Sequence, residues 1–225
     1  MSISCDITGI SDSTYRSGYG LLYNWYAVSN FRGLAPTGWH IPTLSEWQTL
    51  QTYLGGDVSA GIAVKEITTW LNFSTRTNSS GFTAVSAGMR TINFNNGQPS
   101  EFQFMGSHTR FIASDQFSPG QNNGASLSCN SDDLYTGRIG SDTDGVSVRC
   151  IRDSLTDWVE GEQVTDYDGN VYDTVQIGTQ VWFKQNLKVT HYRGGETISE
   201  VTDNNAWQDL TSGALCAYNN NWDNV

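Results

Sequence analysis

A chain of 225 residues fits one large domain or two small ones and can bury a core without cross-links. Twelve Lys and Arg against 23 Asp and Glu leave a net charge of −11, which excludes the clustered basic surface that phosphate recognition needs, so nucleic acid is not an expected partner. No apolar run approaches the ~18 residues of a membrane span, and Met1–Tyr15 has neither the basic nor the apolar region of a secretory signal.

Eight Trp, ten Tyr and nine Phe beside 23 Gly imply an aromatic core served by short strands, tight turns and long ordered loops. Residues 1–18 are expected to be a polar extension lying along the surface. The run Gly20–Val28 is dense enough in apolar and aromatic residues for a buried strand. A turn-rich stretch with Pro36 and Pro42 follows. Thr43 with Glu46 three residues on is a capping box, and Leu44, Trp47, Leu50 and Leu54 put one apolar face on the helix it starts. Gly55-Gly56 ends that helix, because glycine tolerates the left-handed backbone there. A second helix is expected over Ser59–Ile67, with Ile62, Val64 and Ile67 as its apolar contacts.

From Trp70 to Arg152 the pattern shifts to short strands between polar clusters: Gly81–Val85, Phe102–Phe104, Arg110–Ser114 and Val146–Ile151. Residues 115–126 read as a long polar loop, and Asp142-Thr143-Asp144-Gly145 as a turn. Residues 154–164 read as a linker. Beyond it, Asp168-Gly169 between the alternating runs Val164–Tyr167 and Val171–Ile177 is a hairpin signal, since the turn needs positive φ. Gln180–Phe183 continues as a strand. Trp25, Trp39, Trp47 and Trp182 occupy apolar runs, which makes them core residues whose indole N–H groups need internal partners.

Cys5, Cys129, Cys150 and Cys216 form no Cys-x-x-Cys pair, so zinc is not expected. Of the three possible pairings, Cys129 with Cys150 is favoured because the two flank a segment that can fold back on itself. Four reduced, buried thiols are the alternative.

His40 lies inside a Trp-His-Ile-Pro motif and reads as structural, while His108 and His191 stand apart from any visible Ser, Cys or carboxylate arrangement. No catalytic residue is assigned and no enzyme is expected. Asp166, Asp168 and Asn170 have the spacing that opens a calcium loop, but Val171 stands where Gly is needed and Ile177 where the bidentate Glu belongs. Asp132, Asp133, Asp142 and Asp144 cluster around a probable hairpin; solvated turn residues are the main reading there and calcium the minor one, so no cofactor is expected. A ligand surface is expected in the loops between Ser107 and Gly145, with Phe117, Tyr135 and Arg138 to stack on or clamp a ligand and Asn122 and Asn123 to hydrogen-bond it. The competing reading is an ordered polar loop packed on its own core.

Gly20–Val28, Pro36–Thr43 with Glu46-Trp47, Asn78–Ala84 and Ser147–Asp153 resemble the Fibrobacter succinogenes major paralogous domain family. So do Asp168–Tyr172, Ile177–Trp182, Asn186-Leu187-Lys188 and the final Tyr-Asn-Asn run. The resemblance implies an α+β, C-type-lectin-like fold, with two helices packed on a twisted, mostly antiparallel sheet and long loops. The order of the motifs is reversed: 19–153 is similar to the C-terminal portion of the family domain, and 165–225 to its N-terminal portion. That order implies a circular permutant in which 165–225 completes the same domain or that of a neighbouring copy. The family often carries Cys just before Pro-Thr-Gly-Trp-His. Here Ala35 stands there, so the resemblance leaves Cys150 without its usual partner and favours Cys129 in its place.

The expected function is a non-enzymatic structural or adhesive protein, located extracellularly or in a virion. It would be a phage tail, fibre, capsid-decorating or filament subunit whose partners are other copies of itself or other particle proteins. The alternative is a monomeric carbohydrate- or protein-binding module with a glycan or cell-surface receptor as partner. No membrane insertion is expected.

Overall fold

The computed structural model describes residues 18–71, 74–93 and 98–225. In chain order these form β1 (Leu22–Tyr23), α1 (Trp25–Val28), β2 (Trp39–His40), α2 (Leu44–Tyr53), α3 (Asp57–Val64), β3 (Ala87–Asn93), β4 (Gln98–Met105), β5 (His108–Ser118), β6 (Gln121–Ser128), β7 (Tyr135–Ser141), β8 (Ile151–Arg152), β9 (Gln163–Thr165), β10 (Val171–Ile177), β11 (Gln180–Phe183), β12 (Ser199–Glu200), α4 (Asn204–Gln208) and β13 (Ala214–Cys216). The strands make three sheets, ordered β4-β3-β5-β6-β7, β2-β8-β11-β10-β9 and β1-β13-β12. All pairs are antiparallel except β3 with β5 and β12 with β13. The class is therefore mixed α+β. Four helices occur among the described residues rather than two, although only α2 and α3 exceed five residues. The expected extension 1–18 lies, apart from Gly18, outside the described residues.

α2 forms as its sequence dictates. Thr43 Oγ1 accepts from Glu46 N, and the Glu46 carboxylate accepts from Thr43 N at 2.8 Å, satisfying two orphan donors of the first turn. Trp47 and Leu50 are buried, and Gly55 and Gly56 carry the chain out at positive φ. α3 starts two residues earlier than expected and stops at Val64. Its buried face is Ala60, Gly61, Ala63 and Val64, while Ile62 is half-buried and Ile67 exposed. The chain leaves the helix because Lys65 turns extended and donates its amine to the carbonyls of Ser128, at 3.0 Å, and Ser131.

Four expected elements differ. Asn24 splits the Gly20–Val28 run, since its side chain accepts from Ala27 N at 3.0 Å and starts α1 straight after β1. Gly81–Val85 makes a single bridge, Ala84 with Lys65, because the Asn78 side chain holds Thr83 at positive φ. Residues 115–126 belong to the β5–β6 hairpin rather than a loop: Gln116 Nε2 donates to Asn122 Oδ1 at 3.0 Å, so polar residues pair across strands whose register shifts there. Val146–Ile151 is not one strand, because its carbonyls serve other segments; Val148 O and Cys150 O accept from Leu187 N and Phe183 N.

The expected disulfide is also corrected. Cys150 and Cys216 are free, buried thiols, and Cys129 is disulfide-bonded, though not to Cys150. Cys129 packs in a core with Trp47, Leu50 and Leu127, whereas Cys150 packs in another with Leu21, Val148 and Tyr172. The two sulfurs therefore belong to different layers of the molecule, and the fold-back hairpin that would have joined them does not form.

The end of the chain shares its sheets with the beginning. β11 pairs with β8 through Trp182 and Ile151, and β13 pairs with β1 through Cys216 and Leu22. Leu21 N donates to Leu187 O at 3.0 Å and Tyr19 N to Asn224 O at 2.9 Å. Gly20 is required at this seam: at φ +75, a Cβ there would lie 2.6 Å from Asn186 Cβ. Residues 153–157 and 159–161 are exposed, and Trp158 tucks its indole onto Thr174 Oγ1 at 3.0 Å.

One core is an aromatic cluster. Trp47 lies 4.8 Å from Trp182, 5.5 Å from Phe111 and 5.8 Å from Phe82, ring centre to ring centre. The expectation of internal hydrogen bonds fails for two of its members: Trp47 Nε1 and Trp182 Nε1 are buried with no partner among the described residues.

Candidate functional site

β5 and β6 turn one face to the aromatic core through Phe111, Ala125 and Leu127. Strand alternation puts Arg110 on the other face, opposite Ser126, which in turn pairs with Tyr135. A cleft of about 390 Å³ is lined by Arg110, Gly120, Gln121, Arg138, Ile139, Gly140, Ser141 and Asp144.

Asp144 forms its floor. Only 4 % of that side chain is exposed, and its carboxylate accepts from Thr91 Oγ1 at 2.8 Å, Ser141 Oγ at 3.2 Å and Ser141 N at 3.2 Å. Gly140 lets the carboxylate come this close, since a Cβ there would sit 2.2 Å from Asp144 Oδ2. Arg110 approaches Asp144 Oδ2 through one nitrogen at 3.5 Å, a long contact for a charged pair. Burial lowers the pKa of Arg110, and Asp144 opposes that shift. Arg138 is exposed and gives one N–H to Gln121 Oε1 at 3.1 Å. The cleft thus presents guanidinium donors above a carboxylate already served by neutral donors.

Of the residues expected to bind a ligand, Arg138 lines this cleft; Tyr135 is exposed at the start of the same strand, with its hydroxyl over Gly137, and is not among the cleft residues. Asn122 and Asn123 are not among the cleft residues. Both are buried; Asn122 Nδ2 donates to Ser141 O at 2.8 Å behind the cleft wall, and Asn123 Nδ2 to Asp115 Oδ2 at 2.7 Å. Asp115 in turn caps Leu44 N at 2.6 Å, so Asn123 ties the hairpin to α2. Phe117 is exposed near the hairpin tip and is not among the cleft residues. Arg110 and Ser141 were missed from sequence, because a charged residue inside a short strand looks the same whether it faces solvent or a cleft.

A family model described as the Fibrobacter succinogenes major domain matches residues 6–152. The chain belongs to this family. The matched span holds α2, α3 and the whole β4-β3-β5-β6-β7 sheet, so the cleft is part of the family domain. Residues 163–225 lie outside the matched span. Neither a curated protein nor a solved structure matches the chain.

The histidines of this Fibrobacter-type domain are less isolated than their sequence positions suggest. His40 bridges Asp153 Oδ1 at 2.6 Å and Glu46 Oε1 at 2.9 Å, which ties β2 to the cap of α2. Its pKa is raised chiefly by Glu46, with Asp153 adding and burial opposing. His191 Nδ1 meets Asp168. His108 sits between Ser107 Oγ at 3.0 Å and Ser128 Oγ at 3.1 Å, and burial, helped by Arg110, lowers its pKa. Ser128 Oγ also donates to Asn130 Oδ1.

The acidic residues weighed for calcium serve separate turns. Asp132 accepts from Thr75 N and Asp133 from Ser131 Oγ. Asp142 accepts from Gln116. Asp166 gathers Asp168 N, Asn170 N and the Tyr172 hydroxyl to close the β9–β10 hairpin. No group of three or more His, Cys, Asp or Glu among the described residues is arranged to hold a metal ion.

Proposed function

We propose that the chain is a non-enzymatic binding domain working outside a cell, with a C-type-lectin-like fold closed by residues 165–225 of the same chain. The observation that carries this reading is the cleft at Arg110 and Arg138. Each guanidinium makes one side-chain contact and keeps further N–H donors, and the sheet beneath packs on the aromatic core, which is what a recognition surface requires. α2 and α3 backing the β5–β7 sheet support the lectin-like assignment. The family motifs in reversed order support a permuted domain, and the pairing of β11 with β8 and of β13 with β1 supports closure within one chain.

The target is a glycan or another cell-surface molecule, on a bacterium or on the host that a virion meets. The test is retention of the purified chain on glycan surfaces and whole cells. Retention as a monomer is expected, with loss on Arg138→Gln; a chain held by no surface overturns the reading.

A second reading, that copies exchange residues 165–225 to build a virion or filament, is favoured by one feature. The exposed stretch around 153–161 is the covalent link between segments that otherwise meet only through non-covalent contacts. Against it, Arg152 and Glu162 pair at 3.1 Å across the base of that stretch and pin it as a local loop.

A further inference from the structure

We propose that the Arg110–Arg138 cleft binds the carboxylate of an acidic sugar, of the uronic or sialic acid type. This rests on the binding-domain reading and adds the class of ligand. Two guanidinium groups against one carboxylate leave one positive charge in the cleft, on a chain whose net charge is −11. The local sign is therefore opposite to that of the whole, and an anionic group is drawn to this point of the surface.

The donors are available. Asp144 already accepts from Thr91 and from both the backbone and the hydroxyl of Ser141, so it draws on Arg110 only through a single contact at 3.5 Å. Arg110 is partly covered, with 26 % of its side chain exposed, so a bond it makes to an anion is screened less by water than one at an open surface. A planar fork of N–H donors suits a carboxylate in a bidentate arrangement.

The remaining walls favour a sugar over an acidic peptide. They are the Ser141 hydroxyl, the Gln121 amide and the backbone at Gly120 and Gly140, groups that pair with ring hydroxyls. Ile139 is the one aliphatic lining residue and is itself buried, so the cleft lacks the apolar pockets that anchor a peptide. At about 390 Å³ the space suits a small ring rather than an extended chain.

The test is calorimetric titration of the full chain with oligogalacturonate and with sialyllactose, each beside its methyl ester. The ester keeps the ring and removes the charge. At least one acid should bind about tenfold or more tightly than its ester, and which acid it is distinguishes the two sources. Affinity should fall as NaCl rises from about 50 to about 500 mM. Arg110→Gln and Arg138→Gln should each weaken binding, with Arg138→Gln, at an exposed position, melting at the wild-type temperature. Esters that bind as well as acids, or binding untouched by both substitutions, overturn the proposal while leaving a glycan-binding domain. Polyglutamate competing as strongly as the sugars overturns the sugar class. Retention on no surface at all sinks the binding-domain reading beneath it.

Discussion

Arg149 Nε donates to Asn186 Oδ1 at 2.7 Å, joining the end of the family-matched span to the last quarter of the chain. The same guanidinium donates to Phe82 O, Phe183 O and Thr83 O, so it is spent on four neutral oxygens. Full burial lowers its pKa to about 9, which leaves it charged at neutral pH. Arg90 repeats the device, donating to Val201 O, Thr202 O and Asn204 Oδ1 between the rings of Phe102 and Trp207. These two buried cations hold residues 183–204 to the β3 side of the molecule through bonds that only a fork of donors can make.

Arg149→Leu leaves four buried oxygens without their donor. Each such orphan costs about 1–3 kcal/mol, so a loss of about 3 kcal/mol or more is expected in urea unfolding. Arg149→Lys should recover only part of it, because one ammonium cannot span four acceptors. Equal stability of Arg149→Leu and wild type would show that the guanidinium does not hold the segments together.

Trp47→Ala removes the ring shared by Trp182, Phe82 and Phe111. A loss of about 3–5 kcal/mol is expected for a cavity of this kind. The same change at exposed Trp222 should cost far less, and the comparison of the two urea midpoints checks it.

His40 sets a pH dependence. Its pKa is raised above the ordinary value of 6.5, mainly by Glu46, so its contribution is full below that value and is lost as pH rises through the raised one. Melting temperature should fall as pH rises above the ordinary histidine value of 6.5, modestly because the side chain is partly exposed. In His40→Gln that slope should flatten. An unchanged slope would place the titrating group elsewhere.

Cys150 and Cys216 are buried thiols, and burial raises both pKa values, that of Cys216 to about 12. Neither should react with iodoacetamide in the native protein at about pH 8, and both should react in denaturant. Peptide mapping should find Cys129 blocked by its disulfide in both states. Labelling of native Cys150 would mean that its core opens readily.

Local signals in the sequence were strong where a single side chain fixes the backbone. Thr43 and Glu46 cap α2, Gly55-Gly56 end it, and Asp168-Gly169 turns β9 into β10. Signals failed where a distant partner decides. Nothing local shows that Val148 O will serve Leu187, that Gln116 will pair with Asn122, or that Cys129 and Cys150 will fall in different cores. The same limit governed the site. Arg138 and Tyr135 stood out as exposed polar and aromatic residues, whereas Arg110 and Asp144 gain their meaning from a cleft formed by three strands and a turn.

The most direct test of the whole account is the native mass of the intact chain by light scattering across a wide concentration range. Closure of residues 165–225 onto their own chain predicts one compact species of 24.8 kDa at every concentration. A mass that climbs with concentration, together with transfer of a label on residues 163–225 into the core of an unlabelled copy, would contradict it and make assembly the function.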